Sequence, residues 1–235
     1  MLVDTIKVPD NVEEKYDNRK RRWYVADGIK MASITTILKE TDREGQLALE
    51  AWRNRMGHDI ARMIGEDAAA TGNKWHNFCE KYVLGEDIAP FLASPYDVVR
   101  ASAIAHMLNH RVVRIVATET RVANKKLRAA GRMDMVVQLH NGKYAILDFK
   151  TGGKRAKGGN RLVNYLIQCT FYADAVSEIA GIDVEYIIIA QLLENELLWQ
   201  VSKPQHYRDL LVAKVADFYR RHDEENTNAD VPVAE

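Results

Sequence analysis

The sequence predicts an α/β fold, and three stretches carry that prediction. Thr71 to Leu84 places Trp75, Phe78, Cys79, Tyr82 and Val83 at the i, i+3, i+4, i+7, i+8 spacing of a helix with one buried stripe. Gly131 to Gly152 reads as two apolar strands around an Asn141-Gly142 turn. A helix over Asn160–Ala180 then leads to Val184–Leu193, a nearly continuous apolar run of the kind found in a strand buried on both faces. That crossover is long enough for the strand to lie parallel to a neighbour. The resulting order is helix, three antiparallel strands, crossover helix and a further strand.

Composition narrows the function classes. A chain of 235 residues has room for one large domain or two small ones and for a substantial core. With 33 basic and 33 acidic side chains, no global field draws it to nucleic acid, so such binding requires local patches. Cys79 and Cys169 are the only cysteines, and their apolar helical settings suit reduced core thiols rather than a disulfide. Two thiols also exclude an iron–sulfur cluster, which takes about four. The N-terminus lacks a signal-peptide apolar region, and no apolar run approaches a membrane span. These features point to a cytoplasmic protein with no membrane partner.

Taken in order, residues 1–30 are expected to form a polar arm and a short hairpin, 31–222 a single domain, and 223–235 a disordered acidic tail. Arg19-Lys20-Arg21-Arg22 precede Trp23-Tyr24-Val25 and an Asp27-Gly28 turn. Basic residues beside aromatics suit single-stranded nucleic acid; a solvated edge strand with its aromatics turned inward fits equally. Ser33 opens a short helix, and Asp42 caps a second that ends near Gly57. On the helix from Thr71, His76 and Glu80 lie four apart, on a flank of the buried stripe, so both can reach one ion. A lone histidine near a core is otherwise a hydrogen-bonded structural residue.

Ser94-Pro95-Tyr96-Asp97 starts a long helix to about Val113, with Val98, Ala101, Ala105, Leu108 and Val112 inward. A first strand over 117–123 contains Glu119, and the two strands of the hairpin follow. The stretch Gly152–Arg161 carries Lys154, Arg155, Lys157 and Arg161 without an acid, which makes a basic loop suited to phosphate. Gln168 and Tyr172 share a face of the next helix. Leu197–Val201 is a further strand, and Pro204 begins a last helix through about His222.

The hairpin concentrates the chemistry. Asp134, Asp148 and Lys150 stand in strand interiors, where acids and lysines are depleted and costly to bury unpartnered. A two-residue turn would set the two acids on opposite faces of the pleat. A three-residue loop, His140-Asn141-Gly142, pairs Leu139 with Lys143 instead. Met133, Met135 and Val137 then oppose Phe149, Leu147 and Ala145, while Asp134 opposes Asp148 and Arg132 opposes Lys150. The apolar pattern selects this register, which brings the acids together. Clustered carboxylates with a histidine select Mg²⁺ or Mn²⁺, an ion that stabilises phosphoryl charge and acidifies bound water. Lys150 is placed to orient that water or to stabilise developing charge.

These residues also resemble a known family. Gly131-Arg-Met-Asp134, Asp148-Phe-Lys150-Thr-Gly152 and Gln168-x-x-x-Tyr172 look like the RecB-type branch of the PD-(D/E)xK nucleases, and Gly72-Asn-Lys-Trp-His76-x-x-x-Glu80 resembles that branch's upstream histidine motif. Ser33-Ile-Thr-Thr-Ile-Leu is similar to a segment of mitochondrial genome maintenance exonuclease and its phage relatives. The resemblance spans about Ser33 to Ala190 with the motifs in matching order. It implies a restriction-endonuclease-like core with added N-terminal helices, and one or two Mg²⁺ or Mn²⁺ ions. Asp134, Asp148 and the Phe149 carbonyl would be metal ligands with His76, Lys150 the catalytic lysine and Glu80 a nearby acid. Gln168 and Tyr172 would support the site and the DNA strand, with Lys154, Arg155, Lys157 and Arg161 as further DNA contacts.

The reading that results is a metal-dependent DNA exonuclease acting on single-stranded or free ends in phage-type recombination, repair or degradation, in a bacterial or phage-infected host cell, with a recombination or replication protein as partner. The alternatives are a structure- or sequence-directed endonuclease and a catalytically silent DNA-binding member of the fold. A structural ion-pair cluster is disfavoured, since buried charge clusters rarely stabilise more than apolar packing does.

Overall fold

The computed structural model describes residues 2–3, 12–17, 21–152, 159–194 and 196–229. The chain opens with β1 (Leu2–Val3), β2 (Glu13–Tyr16), β3 (Arg22–Ala26) and β4 (Ile29–Ser33). Three helices follow, α1 (Ile34–Thr41), α2 (Arg43–Met56) and α3 (His58–Leu84), then α4 (Pro95–Arg111). The central strands are β5 (Val112–Asn124), β6 (Ala129–Leu139) and β7 (Tyr144–Thr151). Helix α5 (Gly159–Ala180) crosses to β8 (Val184–Leu192), β9 (Leu197–Ser202) pairs with it, and α6 (Arg208–Ala229) closes the described chain.

The strands form one sheet in the order β2-β3-β4-β6-β7-β8-β9, with β5 on the other edge of β6 and β1 against β5. β5–β6 and β6–β7 are antiparallel and β7–β8 parallel, so the three-strand meander and crossover expected from sequence are present. The mixed sheet with helices on both faces is that of a restriction-endonuclease-like fold. One face is covered by α1, α5 and α6, through Ile37, Phe171 and Phe218 among others. The other is covered by α3 and α4, through Trp75, Phe78, Ile104 and Leu108.

The hairpin register follows the apolar pattern. Leu139 N–H donates to Lys143 C=O at 2.9 Å, Gly142 takes a φ of 79°, and Met135 and Val137 pair with Leu147 and Ala145. Backbone pairing stops there, so the expected Met133–Phe149 and Asp134–Asp148 pairs are not part of the ladder, and Met133 packs in the opposite core from Met135. Arg132 is not the ladder partner of Lys150; its guanidinium pairs with Glu119.

Several boundaries depart from the sequence expectation, each for a local reason. The β3–β4 hairpin joins the main sheet, because β4 pairs in parallel with Ala129 and Ala130 of β6. Its Asp27-Gly28 turn has both residues at positive φ, as a two-residue loop matching strand twist requires. Trp23 and Tyr24 are buried, so the inward-packed reading holds and neither ring is a stacking platform for a strand. Arg19 and Lys20 lie outside the described residues. Helix α3 starts at His58, not Thr71, although Ala61 alone is buried before Trp75. That first half buries no apolar stripe, since Ile60, Met63 and Ile64 are exposed, and it rests on propensity, with alanines at 68–70.

On α4 the buried face is Arg100, Ala101, Ile104, Met107 and Leu108, while the expected Val98 is 45% exposed. The stripe is rotated because Arg100 packs inward, donating to Leu193 C=O and lying over the Tyr96 ring. β5 begins at Val112, ahead of the expected 117. α6 continues to Ala229, so the first part of the expected tail is helical; residues 230–235 lie outside the described residues.

Candidate active site

The site forms where the sheet splits. β5 occupies one edge of β6 along almost its whole length. On the other edge β4 pairs with Ala129 and Ala130, and β7 with Met135 to Gln138. Between them, residues 131–134 have no strand partner on that edge among the described residues. Helix α5 supplies one instead: the Tyr172 hydroxyl donates to Arg132 C=O at 2.8 Å and accepts from Gln168 Nε2 at 3.1 Å. Gly131 is the residue that lets the ring in. A Cβ there would meet Tyr172 Cε1 and Oη at 2.9 Å and Ile34 Cγ2 at 3.0 Å.

One step further along, Asp134 takes the place of a missing ladder bond, its Oδ2 accepting from Phe149 N–H at 2.7 Å. The same oxygen lies 3.2 Å from His76 Nδ1 on α3, and Glu119 Oε1 lies 3.9 Å from that nitrogen. Thr118 and Thr120 pair with Met135 and Met133, which sets Glu119 directly across β5–β6 from Asp134. Glu119 has a φ of 48°, a left-handed backbone inside a strand and costly for a residue with a long side chain. His76, Glu119 and Asp134 each offer a donor atom, and the three atoms lie within 4.8 Å of one another.

Asp148 and Lys150, two apart on β7, project to one side of the strand. Asp148 is 1% exposed; its Oδ2 forms an ion pair with Lys150 Nζ, and its Oδ1 has no hydrogen-bond partner among the described residues. The Lys150 ammonium also sits over the Tyr165 ring, 4.9 Å from its centroid.

The electrostatics are those of a site crowded with acids. Burial pushes the Asp148 carboxyl up, Asp134 adds repulsion and Lys150 offsets only part, which leaves it at about 6. Glu119 also reaches about 6, through burial and then the Asp134 charge, against the pull of Arg132 and His76. For Asp134, burial is outweighed by His76, Lys150 and the Phe149 N–H, and its carboxyl lies below the usual range. Burial would lower His76, but the Asp134 charge and hydrogen bond raise it. Burial would lower Lys150 too, yet Asp148 and Asp134 hold it above an ordinary lysine. Neighbouring carboxylates driven upward, one with an orphaned oxygen, make a site that a cation would complete. Two carboxylates and an imidazole suit a hard or borderline divalent ion.

The structure thus brings together His76, Asp134, Asp148 and Lys150, as expected from sequence, with Phe149 beside them. Glu80 is half-buried on α3 but is not one of the three clustered donors; Glu119 stands beside His76 in its place. Tyr172, 1% exposed and bonded to the β6 backbone, supports the strand and is too deeply buried to touch DNA. Gln168 shares that support and lines a cleft beside α5, as does the exposed Arg161. Lys154, Arg155 and Lys157 lie outside the described residues. Glu119 escaped the sequence reading because its place opposite Asp134 follows from the turn over Lys125–Arg128, where Arg128 N–H donates to Lys125 C=O at 3.2 Å, and that turn has no glycine to mark it. The available signal was an acid between two threonines inside a strand.

No helix among the described residues is long and apolar enough to cross a membrane. Among solved structures, the chain is similar to the crystal structure of SSO0001, at 12% identity and a TM-score of 0.39, covering 78% of this chain and 84% of that one. It is also similar to a Eubacterium rectale protein described as a candidate exonuclease, at 14% identity and a TM-score of 0.39, covering 59% of this chain and 62% of that one. No curated protein matches. The family model of the PD-(D/E)XK nuclease superfamily matches residues 86–231, which include Glu119, Asp134, Asp148 and Lys150. With that match over more than half its length, the chain belongs to the PD-(D/E)XK nuclease superfamily.

Proposed function

We propose that this nuclease is a Mg²⁺- or Mn²⁺-dependent DNA exonuclease of the RecB-like branch, acting on single-stranded or free ends in recombination, repair or degradation. The observation that carries the reading is the cluster of His76, Glu119 and Asp134 beside the Asp148–Lys150 pair, at the split in the sheet. The histidine from α3 supports the branch, since it adds a nitrogen donor to a site otherwise built of carboxylates.

Asp134, Glu119 and His76 would hold the ion, with Asp148 and the Phe149 carbonyl as the further ligands that the family resemblance implies. When bound, a divalent ion supplies positive charge that stabilises a phosphoryl oxygen and lowers the pKa of water. Lys150 keeps its proton at neutral pH, because its pKa is pushed up by Asp148 and Asp134. Its role is therefore that of a charged donor to the scissile phosphate, not of a general base. Asp148 fixes the ammonium by ion pairing, and Tyr165 supports it from one side. Tyr172 keeps the Arg132 carbonyl paired, so that β6 presents Asp134 at a constant height.

Oligonucleotides labelled at either end, single-stranded and duplex, test this with Mg²⁺, Mn²⁺ or EDTA. Metal-dependent laddering from one end is expected, and Lys150→Ala should slow it by about a hundredfold or more, as removal of one preorganised donor does. Cleavage that survives Lys150→Ala undiminished, or internal cleavage of closed circles at the same rate, sinks the reading.

A further inference from the structure

A cleft of about 280 Å³ lies between α1, the start of α2 and the first turns of α5. Leu38, Leu49 and Tyr165 give it apolar and aromatic walls; Gln46, Asn164 and Gln168 give it amide edges; Lys39 and Arg161 line it as cations. Two of its walls belong to the site described above. Tyr165 carries the Lys150 ammonium over its ring, and Gln168 bonds the tyrosine that holds β6 at Arg132. A ligand seated here is therefore next to Lys150.

Resting on the nuclease reading, we infer that this cleft is a nucleobase pocket: it takes the base of one nucleotide beside the scissile phosphate of a single strand. An aromatic wall with amide edges is the chemistry that holds a base, by stacking and by hydrogen bonds to its rim. A cation at the mouth suits the adjoining phosphate. The acid in the lining, Asp42, is already engaged, accepting from Gly45 N–H at 3.0 Å and from Asn164 Nδ2 at 2.8 Å. Each amide nitrogen likewise holds one internal acceptor, Gln46 on Lys39 C=O, Asn164 on Asp42 and Gln168 on Tyr172, so it is their amide oxygens and second N–H groups that would meet a base. Tyr165 thus contributes to positioning the strand beside Lys150.

The test is equilibrium binding of fluorescent single-stranded DNA to the full chain in EDTA, with a single abasic site moved along the strand. One position is expected at which loss of the base weakens binding about tenfold. Tyr165→Ala should weaken the intact strand by a similar factor, add nothing at that abasic position, and leave the other abasic strands showing its full effect. Tyr165→Phe should retain binding, which separates loss of the stack from loss of the fold, and Leu49→Trp should mimic the alanine variant by filling the cleft. Equal binding of all abasic strands, or additivity of Tyr165→Ala with every one of them, overturns the pocket. Because binding is read without metal, a base-dependent position with no cleavage under any metal would refute the nuclease reading alone. Cleavage without such a position would refute the pocket alone.

Discussion

Gly131 and Tyr172 are a matched pair: the missing side chain of one is the space used by the ring of the other. Gly131→Ala forces a contact near 2.9 Å in a packed region, and overpacking of this kind costs about 1–3 kcal/mol. Tyr172→Phe leaves the Arg132 carbonyl unpaired, which costs about 1–3 kcal/mol for a buried group. Urea denaturation of the two single variants and the double should show non-additivity, since they share one space. Strict additivity would mean that the hydroxyl takes no part in the Gly131 contact. Asp17 is a second residue-level case. Burial would raise its carboxyl, but hydrogen bonds from the Arg21 backbone and guanidinium and from Trp23 Nε1 outweigh this and hold it far below the usual range. A depressed carboxylate contributes stability that is fully present above its unfolded pKa of about 3.9 and is lost as pH falls toward the folded value. Asp17→Asn should therefore cost about 1 kcal/mol at neutral pH, modest for charged hydrogen bonds because the side chain is 23% exposed. The gap from wild type should close below about pH 4. A gap that is constant with pH would show that the charge is irrelevant.

At the scale of elements, what could be read from the sequence was what local pattern determines. The β6–β7 register followed from which residues were apolar, and that put Asp134 and Asp148 on one side before any coordinates. Caps were equally legible: Asp42 accepts from Gly45 N–H, Ser94 from Asp97 N–H, and Gly85 closes α3 in the left-handed conformation. Long-range pairings were not. The parallel β4–β6 contact and the inward turn of Arg100 depend on partners distant in sequence, and the place of Glu119 opposite Asp134 depends on a hairpin turn over Lys125–Arg128 that no glycine marks. Helix α2 shows what a cap carries when packing is absent. None of its residues is buried, so its start depends on Asp42, which also anchors it to Asn164 of α5. Asp42→Ala should cost about 1 kcal/mol and speed amide exchange through the first turns of α2, leaving α5 and the central strands protected. Unchanged exchange in α2 would place its order elsewhere.

Across the whole molecule, the sheet is pinned by a core on each face, and at the split between β4 and β7 acids collect inside it. Such a region is a liability until a cation enters. Glu119 and Asp148, both raised to about 6, pay for their ionisation in the metal-free protein. Glu119→Gln removes one of the repelling charges, so at pH 8 it should leave the metal-free protein as stable as wild type or more so, while weakening metal binding. Loading the ion should have the opposite effect on the wild type. An ion at a hundred times its Kd stabilises the folded state by about 2.7 kcal/mol. For a chain of this size that is a rise of about 5–10 °C in Tm. Thermal melts with Mg²⁺ and Mn²⁺ titrated against EDTA read this directly. The rise should vanish in His76→Ala, shrink in Glu119→Gln, and persist in Lys150→Ala, whose ammonium pairs with Asp148 and is not one of the three clustered donors. If the wild type gains nothing from either ion at millimolar concentration, or if His76→Ala gains as much, the three donors are not the metal site, and the strained backbone at Glu119 requires another cause.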